Sequence, residues 1–227
     1  MSVYVPEIEI FKVVSGIFEA VKKDFEQNVN EENTILYQYF GELPVFEGKF
    51  NWWENAKDLF LRDFQHPRRI ETEMYFNSER AKMPTVHITL PQETAGPDGL
   101  GVDTGYQPEI YNETTLQYSF TNTRMFDTQY HAIITSDNTL EVQLIYHLLR
   151  GMLITLLKEI DLSGMRNPKL SGQDLQINTE LVPEHIFMRG IGINFQYEVT
   201  VPQLKDHQLI TNIILGKGKP IDPEGMG

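Results

Sequence analysis

Between Pro6 and about Asn28 the apolar residues fall at Ile10, Val13, Val14, Ile17, Val21 and Phe25. That is helical spacing, and Pro6 suits a first-turn position. "TILYQYF" (Thr34 to Phe40) reads as a strand, and "WENAKDLFLRDF" as a short helix ending before Pro67. "IETEMYF" and "MPTVHITL" read as two strands, the second with Val86, Ile88 and Leu90 on one face. A polar, Gly- and Pro-rich insertion, Pro91 to Glu113, precedes two further strands. In the first, Leu116, Tyr118 and Phe120 alternate with Gln117, Ser119 and Thr121; the second runs through "QYHAIIT".

Asn138 followed by Glu141 matches a helix N-cap and its reciprocal partner. The helix predicted from there runs to about Asp161 and stops near Gly164. It is apolar on more than one side, which places it deep in a core or at a subunit contact. Gly151 in its middle costs about 1 kcal/mol against alanine and points to a close approach by another backbone. From Gly190 to Val201, Ile191, Ile193, Phe195, Tyr197, Val199 and Val201 alternate with polar residues and Gly192. One buried face and one polar face predict an antiparallel sheet with helices on one side. The expected fold is a single α+β domain over residues 1–227, its antiparallel (mixed) sheet covered by helices on one face. Pro91–Glu113 is its long hairpin or insertion loop, and Gly216–Gly227 its flexible C-terminal arm.

Hydrophobic content of 41% supports a folded chain. A formal charge of −13 argues against holding nucleic acid by neutralising phosphates. It still permits a protein through which DNA slides without sticking. The absence of cysteine removes disulfides, thiolate metal sites and cysteine nucleophiles. "MSVYVPEIEIF" lacks the pattern of a signal peptide, and "LIYHLLRGMLITLLKEI" is interrupted by charge and too short to span a bilayer. The expectation is a soluble protein made in the cytoplasm.

Asp103-Thr104-Gly105 spells the tripeptide that carries the catalytic carboxylate of aspartic proteases, where two carboxylates share one proton. Here it lies among glycines and prolines, with no second copy in the chain, and reads as a solvated loop. The six histidines show no ligand spacing, "GKGKP" lacks the Ser/Thr of a phosphate loop, and Ser136-Asp137-Asn138 reads as a helix cap. Trp52-Trp53, preceded by Phe50, reads as an aromatic anchor of a loop to the core, with a ligand platform as the alternative. No catalytic, cofactor-binding or metal-binding set is expected.

One segment points to a family. In Tyr130 to Gln203 a strand ends in Ser-Asp-Asn and a long apolar helix follows. Ser171-Gly172-Gln173-Asp174 then leads into "IFMRGIGINFQYE". This resembles the tail terminator and tail-completion (neck) proteins of long-tailed bacteriophages. The resemblance implies a non-enzymatic virion protein, made in the host cytoplasm, without cofactor or membrane contact. It would form a homo-oligomeric ring, commonly a hexamer, that caps the tail tube and meets neck, portal or tail-tube proteins. DNA would pass through the lumen without specific binding. Candidate lumen or interface residues are Glu93, Asp98, Asp103, Tyr106, Glu109 and Glu113, and candidate subunit contacts are Tyr146, His147 and Arg150. The alternatives are a head-completion or connector protein bound to the portal and, from another class, an aspartic-type hydrolase using Asp103.

Overall fold

The computed structural model describes residues 5–46, 48–75, 83–96, 107–112, 117–175 and 186–202. Helix α1 (Pro6–Gln27) starts on its proline, carries Glu7 and Glu9 in the first turn, and buries Ile10, Val14, Ile17 and Val21. The proline lacks only an N–H that would be unpaired there, and the carboxylates suit the positive end of the helix dipole. At the other end, Asp24 Oδ2 accepts from the backbone N–H of Ile35 at 2.7 Å and ties α1 to the next helix.

That helix, α2 (Ile35–Phe40), corrects the strand expected over Thr34–Phe40. Thr34 Oγ1 accepts from the Tyr37 N–H at 3.3 Å, and Leu36 and Phe40 are buried, one helical turn apart. An N-cap and one apolar face therefore outweigh the strand preference of the aromatic residues. Thr34→Ala is expected to cost about 1 kcal/mol, read as a lower midpoint in urea unfolding. Helix α3 (Trp52–Phe60) is capped by Asn51 and ends a few residues earlier than expected. Its Trp53 ring packs edge-on to Tyr37 at 5.3 Å and lies 6.3 Å from Phe25, so it does anchor α3 to α1 and α2.

The strands are β1 (Glu71–Met74), β2 (Thr85–Ala95), β3 (Gln107–Asn112), β4 (Gln117–Ser136), β5 (Arg166–Asp174) and β6 (Phe187–Pro202). They form a mixed sheet ordered β1-β2-β4-β6-β5, with β3 paired to β4; β1 runs parallel to β2, and β2–β4, β3–β4 and β5–β6 are antiparallel. The protein is thus α+β. The two strands expected around Leu116–Thr135 are one long strand, β4. Part of the expected loop Pro91–Glu113 is strand, in β2 up to Ala95 and in β3. Strand β5 carries no apolar alternation and was not expected. The arm Gly216–Gly227 lies outside the described residues.

The chain divides into two compact units. The larger takes in Tyr4–Gly96 and Met125–Glu198; the described residues of the smaller are 107–112, 117–124 and 199–202. In the smaller unit β3 pairs with the opening of β4, Tyr111 opposite Tyr118. In the larger unit α1 packs on β1 and β2. The buried side chains on this helical face include Val86 and Ile88 from β2, Tyr130, Ala132 and Ile134 from β4, and Ile191, Ile193, Phe195 and Tyr197 from β6.

The expected single helix from Asn138 to Asp161 is two, α4 (Thr139–Thr155) and α5 (Leu157–Leu162), broken at Leu156. Helix α4 packs against α1, α2 and α3, and α5 packs on β5. Gly151 does meet a close neighbour, but it is the ring of Tyr39 rather than a backbone.

Candidate functional site

Two arrangements in the larger unit concentrate polar chemistry. The first surrounds the Ser136-Asp137-Asn138 turn that launches α4. Asn138 caps the helix, its Oδ1 accepting from the Leu140 N–H at 3.0 Å. Glu141 does not reach back as the reciprocal partner. Its carboxylate is 8% exposed as a residue and accepts from Ser136 Oγ at 2.7 Å and Arg68 Nη2 at 2.8 Å. Its other oxygen accepts from Arg62 at 3.4 Å. Arg68 also grips Asp137 with both guanidinium nitrogens, at 2.9 and 2.6 Å.

This fork is the bidentate geometry in which arginine binds carboxylates most strongly. The hydrogen bond from Arg68 holds the Asp137 carboxyl below its ordinary value of 3.8, and the same contact raises Arg68. Ser136 is fully buried and commits its proton to Glu141. Both oxygens of Glu141 are engaged, one by Ser136 and Arg68 and the other by Arg62, so the cluster acts as a lock between the 62–69 segment and the start of α4.

The second arrangement is a cleft of about 530 Å³ on the sheet face opposite α1. Its lining includes the carboxamides Gln92, Gln129, Asn167, Asn194 and Gln196, from β2, β4, β5 and β6. Two bulges aim them. The register steps from Thr89↔His131 to Gln92↔Gln129, one residue more in β2 than in β4. This moves even-numbered residues of β2 from the helical face, where Val86 and Ile88 lie, to the open face. In β5 the register steps from Arg166↔Gln196 to Lys169↔Asn194, and Asn167 takes a left-handed φ of 53°. Each bulge contains a proline, Pro91 or Pro168, at a place where a missing N–H costs no ladder bond. A bulge bends its strand, and here the two bulged strands, β2 and β5, flank the cleft.

The open face is not exposed throughout. His87 is 1% exposed; its Nδ1 lies 3.2 Å from the Tyr75 carbonyl and its Nε2 3.3 Å from Thr135 Oγ1. A proton on Nδ1 donates to that carbonyl and leaves Nε2 as an acceptor. Burial lowers the pKa of His87 below 6.5, and that of His131 likewise. A lowered histidine binds a proton less readily in the folded chain than in the unfolded chain. Its stabilising contribution is therefore complete above 6.5 and is lost as pH falls through the folded value. The urea midpoint is expected to drop as pH falls below about 6.5, and His87→Gln is expected to flatten that drop.

Glu93 is exposed on β2, opposite Thr128, and Glu109 lies in β3; Asp98, Asp103, Tyr106 and Glu113 lie outside the described residues. Tyr146, expected at a subunit contact, is 3% exposed and belongs to the core. Its hydroxyl abuts Gly172, and the Arg189 guanidinium lies 3.8 Å over its ring. Strand β5 can cover Tyr146 because it presents Gly172 there. His147 and Arg150 are exposed. Desolvation, then Arg189 and Arg150, lowers the pKa of His147.

Sequence reasoning missed Arg62, Arg68 and the carboxamides as sets. Asn194 and Gln196 stood out as polar alternation on one strand, but their partners on the other strands depended on register. Among the described residues no group of three His, Asp or Glu side chains is placed to hold a metal ion, and no helix is long and apolar enough to cross a membrane. No family model matches the chain, and no curated protein sequence matches it.

Proposed function

We propose that this protein is a structural ring subunit at the head–tail junction or top of the tail tube of a bacteriophage. It ends tail assembly and joins tail to head while DNA passes. The observation that carries the reading is the order of elements. An N-terminal helix precedes a sheet rich in antiparallel pairs, and a buried helix starts from the Ser136-Asp137-Asn138 turn. That is the order the resemblance to tail terminator and tail-completion proteins implies.

Surface chemistry supports it. Leu43, Val45 and Phe46 stand exposed between α2 and α3, where Phe46 bridges to Phe50 around Gly48. Arg150 puts a positive charge on the exposed side of α4, next to the His147 imidazole. A head-to-tail ring joins two different surfaces of each subunit, so each of these features would meet its own counterpart on a neighbouring copy. The lumen side would present acidic residues, Glu93 among them, which repel phosphate.

Mass spectrometry and cryo-microscopy of purified particles test the proposal. A closed ring of about six copies is expected in particles, because closed rings are the usual form of head-to-tail association. The isolated protein is expected as a monomer or mixed oligomer, since each lateral contact alone repays little of the lost freedom of motion. Absence from mature particles overturns the reading. Asp103→Asn is expected to leave assembly intact. Peptide cleavage at about pH 4 to 6, abolished by that substitution, would favour the hydrolase instead.

A further inference from the structure

We propose that the carboxamide cleft over β2, β4, β6 and β5 binds a neutral polyhydroxylated ligand, a short carbohydrate chain. The side chains of Gln92, Asn194, Asp127 and Lys169 line the cleft and make no hydrogen bond to another described residue. Their polar groups line the cleft without a partner among the described residues. Each carboxamide carries a donor pair and an acceptor side by side, and each sugar hydroxyl also donates and accepts, so neighbouring hydroxyls can bridge one side chain. The Asp127 carboxylate can accept from two adjacent hydroxyls, and the Lys169 ammonium can donate to ring or hydroxyl oxygens.

Charge selects against other occupants. Among the described lining residues one anion meets one cation, so the cleft is locally neutral on a chain of net charge −13. A nucleic acid needs several cations along its backbone, and here Lys169 stands alone among the described lining residues. An extended peptide would seek a sheet edge for its backbone and apolar pockets for alternate side chains. The cleft is a sheet face, and the ring of Phe195 is 3% exposed and stacked on Tyr130.

The volume of about 530 Å³ lies within the range of about 300–1,000 Å³ typical of small-molecule sites. Two proline-bearing bulges aim the lining, and bulges commonly re-aim side chains next to binding sites. With no exposed aromatic face among the described lining residues, affinity rests on hydrogen bonds exchanged against water. A dissociation constant of about 1 mM is therefore expected. This inference does not depend on the ring proposal, and either can fail without the other.

The test is a titration of the full chain with maltotriose, cellotriose and tri-N-acetylchitotriose, followed by amide NMR, with a short DNA duplex in parallel. Saturable shifts at the side-chain amides of Gln129 and Asn194 are expected with at least one sugar. They should weaken about tenfold in Asn194→Ala. Gln92→Ala, at an exposed position, gives the same comparison if Asn194→Ala perturbs the fold. Silence with all three sugars overturns the proposal. So does sugar binding that both substitutions leave unchanged, or saturation of the cleft by the DNA duplex alone.

Discussion

Phe195→Ala is expected to destabilise the protein by about 3–5 kcal/mol and to lower Tm by about 10 °C. Phe195 lies on β6, 3% exposed, its ring 5.6 Å from that of Tyr130 and only 5° from parallel. Tyr197 is the next neighbour, at 6.1 Å, and itself packs on Phe126 of β4 at 6.0 Å. Truncation removes the transfer free energy of the ring and leaves a cavity. The neighbours belong to paired strands and cannot collapse to fill it. Phe195→Leu keeps most of the volume and is expected to lose less than half as much. Thermal melts of both variants beside the wild type decide the matter, and an unchanged melting temperature for the alanine variant would place Phe195 outside the core.

Glu141→Ala is expected to cost about 3 kcal/mol, because it leaves a nearly buried guanidinium without its carboxylate. The Arg62 and Glu141 side chains are each 11% exposed. Arg62 keeps Asp58 at 2.8 Å and the Arg68 carbonyl at 2.6 Å, which is why the loss is put at the low end for a broken buried pair. Ser136 would lose its acceptor in the same step. Glu141→Gln retains one oxygen for Ser136 or an arginine and is expected to recover part of the stability. Asp137→Ala, at an exposed carboxylate, is expected to cost less than either. If chemical denaturation ranks Asp137→Ala as the most damaging of the three, the lock does not centre on Glu141.

These residues also show where pattern reading succeeds and fails. The stripe Ile10, Val14, Ile17, Val21 and the alternation Ile191, Ile193, Phe195 each repeat with the period of their own element. Burial follows directly from such periods, because one face of a helix or strand must leave water. Thr34–Phe40 failed because it is short. Over so few residues the apolar pair Leu36 and Phe40 fits a helix turn as well as a strand face, and the Thr34 cap decides. Strand β5 failed because nothing in "RNPKLSGQD" alternates in hydropathy. It is held as a strand by β6 and by α5 packed against it.

Local periodicity and capping therefore settle α1, α3, the start of α4 and the buried face of β6. They also settle the α+β class, since these depend on neighbours within a turn or two along the chain. Register, strand order and the partners of charged residues depend on contacts between distant segments, and only the tertiary structure decides them. Arg68 finds Glu141, and Gln92 comes level with Gln129, through the packing of the whole sheet and the two proline bulges. Tyr146 moves from an expected contact surface into the core because Gly172, on a strand with no apolar signal, leaves room for its ring. A side chain's period tells which way it faces on its own element; what it faces is set by elements elsewhere in the chain.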